Sequence, residues 1–205
     1  LKTNKAIRTC GLSNEMVQRI LNIAKKYHSA TDPFIDGRAI TQPSSIDHMD
    51  EFGLSPQMQK LIRDTREVVP DVMEYVKTTG AQAEKINIFM ADLEEREILR
   101  KELMAMSELS ISSSMYNNLE VNAKGADKGS ALLWLADHLG ISREETMAFG
   151  DGENDIPMIK AAGIGVAMEN ALDTVKEAAD TITLNNDEDG VAAAIRKFIF
   201  GSSEE

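Results

Sequence analysis

The sequence predicts an α/β protein in two parts: an α+β module over residues 1–122 and part of a doubly wound parallel domain over residues 123–205. Three observations predict this. After residue 123, short apolar segments alternate with helical ones, the rhythm of a parallel sheet wrapped by helices. Met147-Ala148-Phe149 and Gly163-Ile164-Gly165-Val166-Ala167 are runs of the kind such a sheet buries on both faces. Before residue 123 the order differs: a hairpin signal at Asp36-Gly37, then helical stretches, then further strands.

Each element follows from a local signal. Met16, Val17, Ile20, Ile23 and Ala24 keep helical spacing behind Ser13, so residues 13–27 are expected as a helix with Ser13 as N-cap. Residues 29–41 are expected as two strands about Asp36-Gly37. Pro43-Ser44-Ser45 opens a more helical region. Ser55-Pro56 starts one helix, with Pro in the first turn, and a second runs from Pro70 to Thr78 and stops at Gly80. Ile86, Ile88 and Met90 alternate along 85–91, a strand. Asp92 caps a helix reaching Met106. Residues 111–115 and 119–122 form a strand pair around Tyr116-Asn117-Asn118. The later chain gives helix 128–140, strand 146–150, helix 155–162, strand 164–167, helix 171–178, strand 181–184 and helix 188–200. A disordered tail, Gly201 to Glu205, ends it.

Composition narrows the partners. Hydrophobic residues make up 42% of the chain, enough for a core, and charged residues 27%, ordinary for a globular protein. The net charge of -12 argues against nucleic acid, whose phosphates need a basic face. It leaves room for a small phosphorylated metabolite, because one Lys and one metal ion act locally. Cys10 is the only cysteine, so an intrachain disulfide is excluded and a reducing, cytoplasmic setting is expected. No apolar run approaches the ~20 residues of a membrane helix. The start, Leu1-Lys2-Thr3-Asn4, carries no Met and no apolar signal region, which suits a fragment as well as a processed chain.

The strongest chemical signal is Phe149-Gly150-Asp151-Gly152-Glu153-Asn154-Asp155-Ile156-Pro157. An apolar strand ends in a Gly turn loaded with carboxylates, and a helix follows. Open α/β sheets place their sites at the carboxyl ends of strands. Asp151 and Asp155 can both face that crevice, and hard oxygen ligands of this kind suit Mg²⁺ shared with a substrate phosphate. Next comes Ala123-Lys124-Gly125-Ala126-Asp127-Lys128-Gly129-Ser130. Asp127 can cap a helix, and Lys128 then lies in its first turn, against the helix dipole. A Lys in that place suggests a task, such as pairing a phosphate or a buried carboxylate.

Several look-alikes fail. Ile156 stands where an EF-hand loop needs Gly. No Lys follows Gly129, so there is no Walker A loop, and Met168 replaces the third Gly of a dinucleotide fingerprint. His28, His48 and His138 share no ligand spacing, and the methionines of this region read as core filler.

Lys124-Gly125-Ala126-Asp127-Lys128-Gly129, Gly150 to Asp155, Gly165-Val166-Ala167-Met168 with Asn170-Ala171, and Asn186 to Gly190-Val191 together resemble the Cof-type phosphatases of the haloacid dehalogenase (HAD) superfamily, whose members carry a class IIB cap. The match is specific over most of residues 85–200 and loose over 1–84. The resemblance implies a Rossmann-like HAD core with an α+β cap, and Mg²⁺-dependent hydrolysis of small phosphate esters, often sugar phosphates, through an aspartyl-phosphate. Lys128 would be catalytic, stabilising the nucleophile and the phosphoryl oxygens. Asp151 and Asp155 would hold the metal, with Asp155 either a direct ligand or a partner behind it. Asn154 would position the phosphate or the nucleophile loop, and Asn170, at the rim of the site, would bind substrate or phosphate. Glu169 stands where the family usually has Gly. Arg38, Asn117 and Asn118 lie on expected turns of the cap and are candidates to face the site, although surface turns explain them too.

The family's Asp-x-Asp-Gly-Thr nucleophile segment is not found. The chain is therefore expected to be a truncated piece of such an enzyme, inactive alone. The strand ending at Phe149 would then present an unpaired apolar edge, a template for self-association. The alternative is a non-catalytic relic of the fold that binds phosphorylated ligands or a partner.

Overall fold

The computed structural model describes residues 6–201, so the start Leu1-Lys2-Thr3-Asn4 and the expected tail beyond Gly201 lie outside the described residues. The chain divides into two compact units, Leu1–Ala126 and Asp127–Glu205. The expected boundary was 122; the strand there runs on to Ala123 and a turn at Gly125 separates it from the next helix.

In the first unit, Ser13 caps α1 (Asn14–Ala24) by accepting from the Met16 N–H. Asp36 and Gly37 both have positive φ, 52° and 74°, and form the two-residue turn between β1 (Ala30–Ile35) and β2 (Arg38–Thr41). Two short helices follow, α2 (Pro43–Asp47) and α3 (Pro56–Thr65). Then come β3 (Arg66–Val68), α4 (Val72–Thr79), β4 (Lys85–Phe89), α5 (Leu93–Met104), β5 (Leu109–Ser112) and β6 (Asn118–Ala123). Asp71 and Asp92 cap α4 and α5 with their carboxylates. The sequence did not indicate β3, because three residues are too short to show alternation; it exists through parallel pairing with β2.

The sheet order is β3-β2-β1-β4-β6-β5. Strand alternation gives it two unlike faces. Ile35, Ile40, Ile86, Ile88, Leu119 and Val121 point to one side, where Val17 and Ile20 of α1, Val76 of α4 and Leu99 and Leu103 of α5 close the main core. Neighbouring residues point to the other side. Ala30 and Phe89 there pack under Met49, Phe52, Leu54 and Ile62. Further along, that face turns polar. Arg66 Nε donates to Asp32 Oδ2 at 3.0 Å, and Lys85 pairs with Glu120 at 3.1 Å. Both cations approach the Phe34 ring, at 5.4 and 5.0 Å from its centroid. Asp32 is 2% exposed. Burial pushes its carboxyl above the ordinary aspartate value, although Arg66 pulls the other way.

Arg38, Asn117 and Asn118 are used inside this unit. Arg38 pairs with Glu67. The Asn117 amide donates to the carbonyls of Phe52 and Gly53. Asn118 Oδ1 accepts from the N–H groups of Ser114 and Met115. His28 and His48 both reach Glu51, and His28 stacks on Phe52.

The second unit is a parallel sheet, β7 (Met147–Gly150), β8 (Ile164–Ala167) and β9 (Thr181–Ile182), in that order. Its helices are α6 (Lys128–Leu139), α7 (Ile156–Ala161), α8 (Asp173–Ala178) and α9 (Gly190–Ile199). Ile159, Ala167, Met168, Ala171 and Val175 make its core. His138 stacks on Trp134 along α6. Two expectations need correction. Met147 and Phe149 are half-buried rather than buried, because β7 is an edge of its sheet and no described strand covers its far side. The strand expected over 181–184 is two residues long, since Ile182 and Leu184 are exposed at the opposite edge and the chain turns at Asn185. Among the described residues, no helix is long and apolar enough to cross a membrane.

Candidate active site

The site is built at the carboxyl end of β7. The strand stops at Gly150, and Asp151 and Gly152 lead into a 3-10 turn, Glu153–Asp155, that runs into α7. The Asp155 side chain folds back over the strand end. A Cβ at position 150 would lie 2.3 Å from the Asp155 Cβ, so only Gly fits. Asp155 Oδ2 accepts from the N–H groups of Asp151 and Gly152, at 3.0 and 3.1 Å. Its other oxygen, Oδ1, is bonded to Lys128 Nζ.

Lys128 arrives from the first turn of α6. Asp127 caps that helix, accepting from both the N–H and the hydroxyl of Ser130 at 2.8 Å. Gly129 lets the start of α6 lie directly on α7: a Cβ there would be 2.4 Å from the Pro157 carbonyl oxygen. The place of a Lys against the helix dipole is thus explained by its partner, a carboxylate whose side chain is 8% exposed. Lys128 itself is 49% exposed, and its ammonium carries two N–H donors beyond the one given to Asp155. Burial opposes the charge on Asp155, but the Lys128 bond and the two backbone donors outweigh it and hold the carboxyl below its ordinary value.

Asp151 is exposed beside this pair. Its backbone carbonyl accepts from the Leu172 N–H at 3.2 Å, and its Oδ2 accepts from Asn170 Nδ2 at 3.1 Å. Asn170 Oδ1 in turn accepts from the Asn186 N–H at 3.1 Å. Asn154 is half-buried on the 3-10 turn, close enough that a Cβ on Gly152 would lie 3.1 Å from its Oδ1. One hydrogen-bonded chain therefore joins Lys128, Asp155, the 151–152 backbone, Asp151, Asn170 and Asn186. Of the residues singled out in the sequence, Lys128, Asp151, Asp155 and Asn170 belong to it, and Asn154 flanks it.

Mg²⁺ is the ion that the resemblance implies. Among the described residues, no group of three or more His, Cys, Asp or Glu side chains could hold a metal. Asp151 offers one hard oxygen without a bond shown to it, whereas the Asp155 oxygens already meet three donors. That donor set fits Mg²⁺ held by one carboxylate, with water and phosphate oxygens completing its shell.

One feature was not legible: Asn186 acts through its backbone N–H, which any residue type carries. The sequence contains one Asp-x-Asp, Asp187-Glu188-Asp189, but it precedes Gly190-Val191 rather than Gly-Thr. Its carboxylates are exposed on the turn between β9 and α9, not at the end of a central strand.

Residues 1–195 match the family model of the haloacid dehalogenase-like hydrolases. A Bacillus subtilis 5-amino-6-(5-phospho-D-ribitylamino)uracil phosphatase, YcsE, is 50% identical over 114 residues, covering 54% of this chain and 46% of that protein. A haloacid dehalogenase-like hydrolase structure from B. subtilis superposes with a TM-score of 0.80 at 27% identity, covering 92% of this chain and 72% of that one. A HAD subclass IIB sugar phosphatase, BT4131, superposes with a TM-score of 0.76 at 26% identity, covering 95% and 70%. The chain thus spans less than half of the first of these relatives. With the parallel sheet, the Gly150–Asp155 turn and the facing Lys128 in place, the chain belongs to the haloacid dehalogenase-like hydrolases, with the Cof-type, subclass IIB architecture.

Proposed function

We propose that these residues form the metal-binding and phosphate-binding part of a Mg²⁺-dependent phosphatase. Its substrates are small phosphate esters, sugar phosphates foremost, and the reaction runs through an aspartyl-phosphate. The observation that carries this reading is the Lys128–Asp155 pair set beside an exposed Asp151 at a strand end. Phosphoryl transfer needs positioning and charge neutralisation more than elaborate side-chain chemistry. A bound Mg²⁺ supplies charge at the phosphoryl oxygens and orients the ester.

Asp151 is the residue that holds the ion. Asp155 stands behind it: with three donors already on its oxygens, it fixes the turn and the direction of Lys128. Lys128 keeps free donors for phosphoryl oxygens. Asn154 offers its amide to the phosphate. The aspartate nucleophile is assigned to none of these residues, and alone the chain is expected to turn over no ester. The β7 edge is the expected place of further strand pairing, including self-association. The acidic net charge disfavours nucleic acid as partner, and the single cysteine suits a reducing, cytoplasmic setting.

The test is phosphate release by the intact source protein on a panel of phosphate esters, with Mg²⁺ and with a chelator. Mg²⁺-dependent turnover of one ester class is expected. Ligand binding without turnover of any ester would favour the non-catalytic reading. Turnover that survives chelation would overturn the role of Asp151.

A further inference from the structure

The geometry points to Asn170 as a positioning residue that aims the Asp151 carboxylate and couples it to the turn after β9, rather than as a group that binds phosphate. The inference rests on the reading of Asp151 as metal ligand given above.

Both ends of the Asn170 amide are taken up inside the protein. Its Nδ2 donates to Asp151 Oδ2 at 3.1 Å, and its Oδ1 accepts from the Asn186 N–H at 3.1 Å. The neighbours fix which end is which, because an ionised carboxylate only accepts and a backbone N–H only donates. The loop that carries Asn170 is itself pinned. Met168 N–H donates to the Gly150 carbonyl at 3.0 Å, Leu172 N–H to the Asp151 carbonyl at 3.2 Å, and Ala171 N–H to the Met168 carbonyl at 3.0 Å. Asn170 is therefore held against the very residue whose side chain it grips.

The bond on Oδ2 leaves Asp151 Oδ1 as the oxygen offered outward. An exposed carboxylate with no such partner would spread over its rotamers, and ordering it would weaken metal binding. The far end of the link is a second element. Asn186 opens the 3-10 turn after Asn185, and Thr183 N–H ties the preceding strand to the Ala167 carbonyl at 2.9 Å. The backbone of the β9 turn thus braces the metal side of the site through a single side chain.

Two variants of the intact source protein test this. Asn170→Ala removes both bonds. Asn186→Pro removes the anchoring N–H, along with the 3.5 Å contact of the Asn186 amide to the adjacent Asp187 carboxylate, and leaves Asn170 itself in place; Pro suits the first position of a helical turn, and Asn185 before it is already extended, at φ -71° and ψ 173°. Binding is read with Mn²⁺ as the probe, by its electron spin resonance signal, and phosphate affinity is read separately with inorganic phosphate. Loss of a group that orients a metal ligand typically weakens the metal about tenfold or more. Asn170→Ala is expected to weaken Mn²⁺ about tenfold and to leave the thermal midpoint and the phosphate affinity of the metal-saturated protein unchanged. Asn186→Pro is expected to weaken Mn²⁺ less, in the same direction.

Unchanged Mn²⁺ affinity in Asn170→Ala overturns the inference, as does weakened phosphate binding with intact Mn²⁺ affinity. Asp151→Asn is the control for the reading beneath it. If that variant binds Mn²⁺ normally, the assignment of Asp151 fails; if it loses Mn²⁺ while Asn170→Ala does not, only the positioning role fails.

Discussion

Among the described residues, each unit of this protein buries one carboxylate, and the two are treated in opposite ways. Asp155 follows a strand end, where the turn leaves backbone N–H groups of Asp151 and Gly152 free to point at it. Asp32 lies in mid-strand on β1, where the neighbouring N–H groups serve the ladders to β2 and β4 and Arg66 is the partner that offsets burial most. Burial works against charge at both. It loses at Asp155, whose carboxyl is held low, and wins at Asp32, whose carboxyl is pushed up. A strand end can stabilise a charge with fixed dipoles and a mid-strand position cannot. That is a physical reason for phosphate chemistry to gather at strand ends of parallel sheets.

This contrast can be broken by mutation, and the largest effect belongs to Asp155. Asp155→Ala leaves two turn N–H groups and Lys128 without their acceptor, and should destabilise the second unit by about 3 kcal/mol. Trp134, the single tryptophan, lies on α6 in that unit, so its fluorescence during urea unfolding reads the loss. Asp32→Ala should destabilise the first unit by about 2 kcal/mol, less because its charge is already disfavoured. Replacing whole pairs sharpens the point. Asp32→Leu with Arg66→Met should come within about 1 kcal/mol of the wild type, as buried ion pairs often give way to apolar packing at little cost. Asp155→Leu with Lys128→Met should stay destabilised, because the backbone donors still lack a partner. Hydrogen exchange of β1 and urea unfolding read the two cases.

The pH dependence follows with its sign. The folded carboxyl of Asp32 has a raised pKa, so its contribution is fully present below the unfolded value of about 3.9 and declines as pH climbs through the folded value. Asp32→Asn does not titrate there. The stability of the wild type relative to this variant should therefore fall as pH rises through that window, measured by thermal unfolding across a pH series. Asp151→Asn should give the smallest stability change, within about 0.5 kcal/mol, because its side chain is exposed.

The two units also differ in how far the sequence foretold them. In the second unit, a Gly turn, a capping Asp127 and a Lys against its helix dipole are local patterns, and they located Lys128, Asp151 and Asp155 together. In the first unit, the caps Ser13 and Asp92, Pro70 before α4 and the Asp36-Gly37 turn mark where elements begin, and those elements stand close to where they were expected. What stayed hidden was non-local. The three residues of β3 become a strand only through β2. Asp32 and Arg66 meet only once the strands are in register. Asn117 and Asn118 look like free turn residues until the carbonyls of Phe52 and Gly53 and the N–H groups of Ser114 and Met115 are brought to them.

The most direct test is Mg²⁺-dependent phosphate release by the intact source protein carrying Asp151→Asn, with Trp134 unfolding measured alongside. A loss of about a thousandfold or more in turnover, with an unchanged Trp134 transition, is the predicted result. Turnover close to wild type in that variant would contradict the assignment of the Gly150–Asp155 turn as the metal and phosphate site.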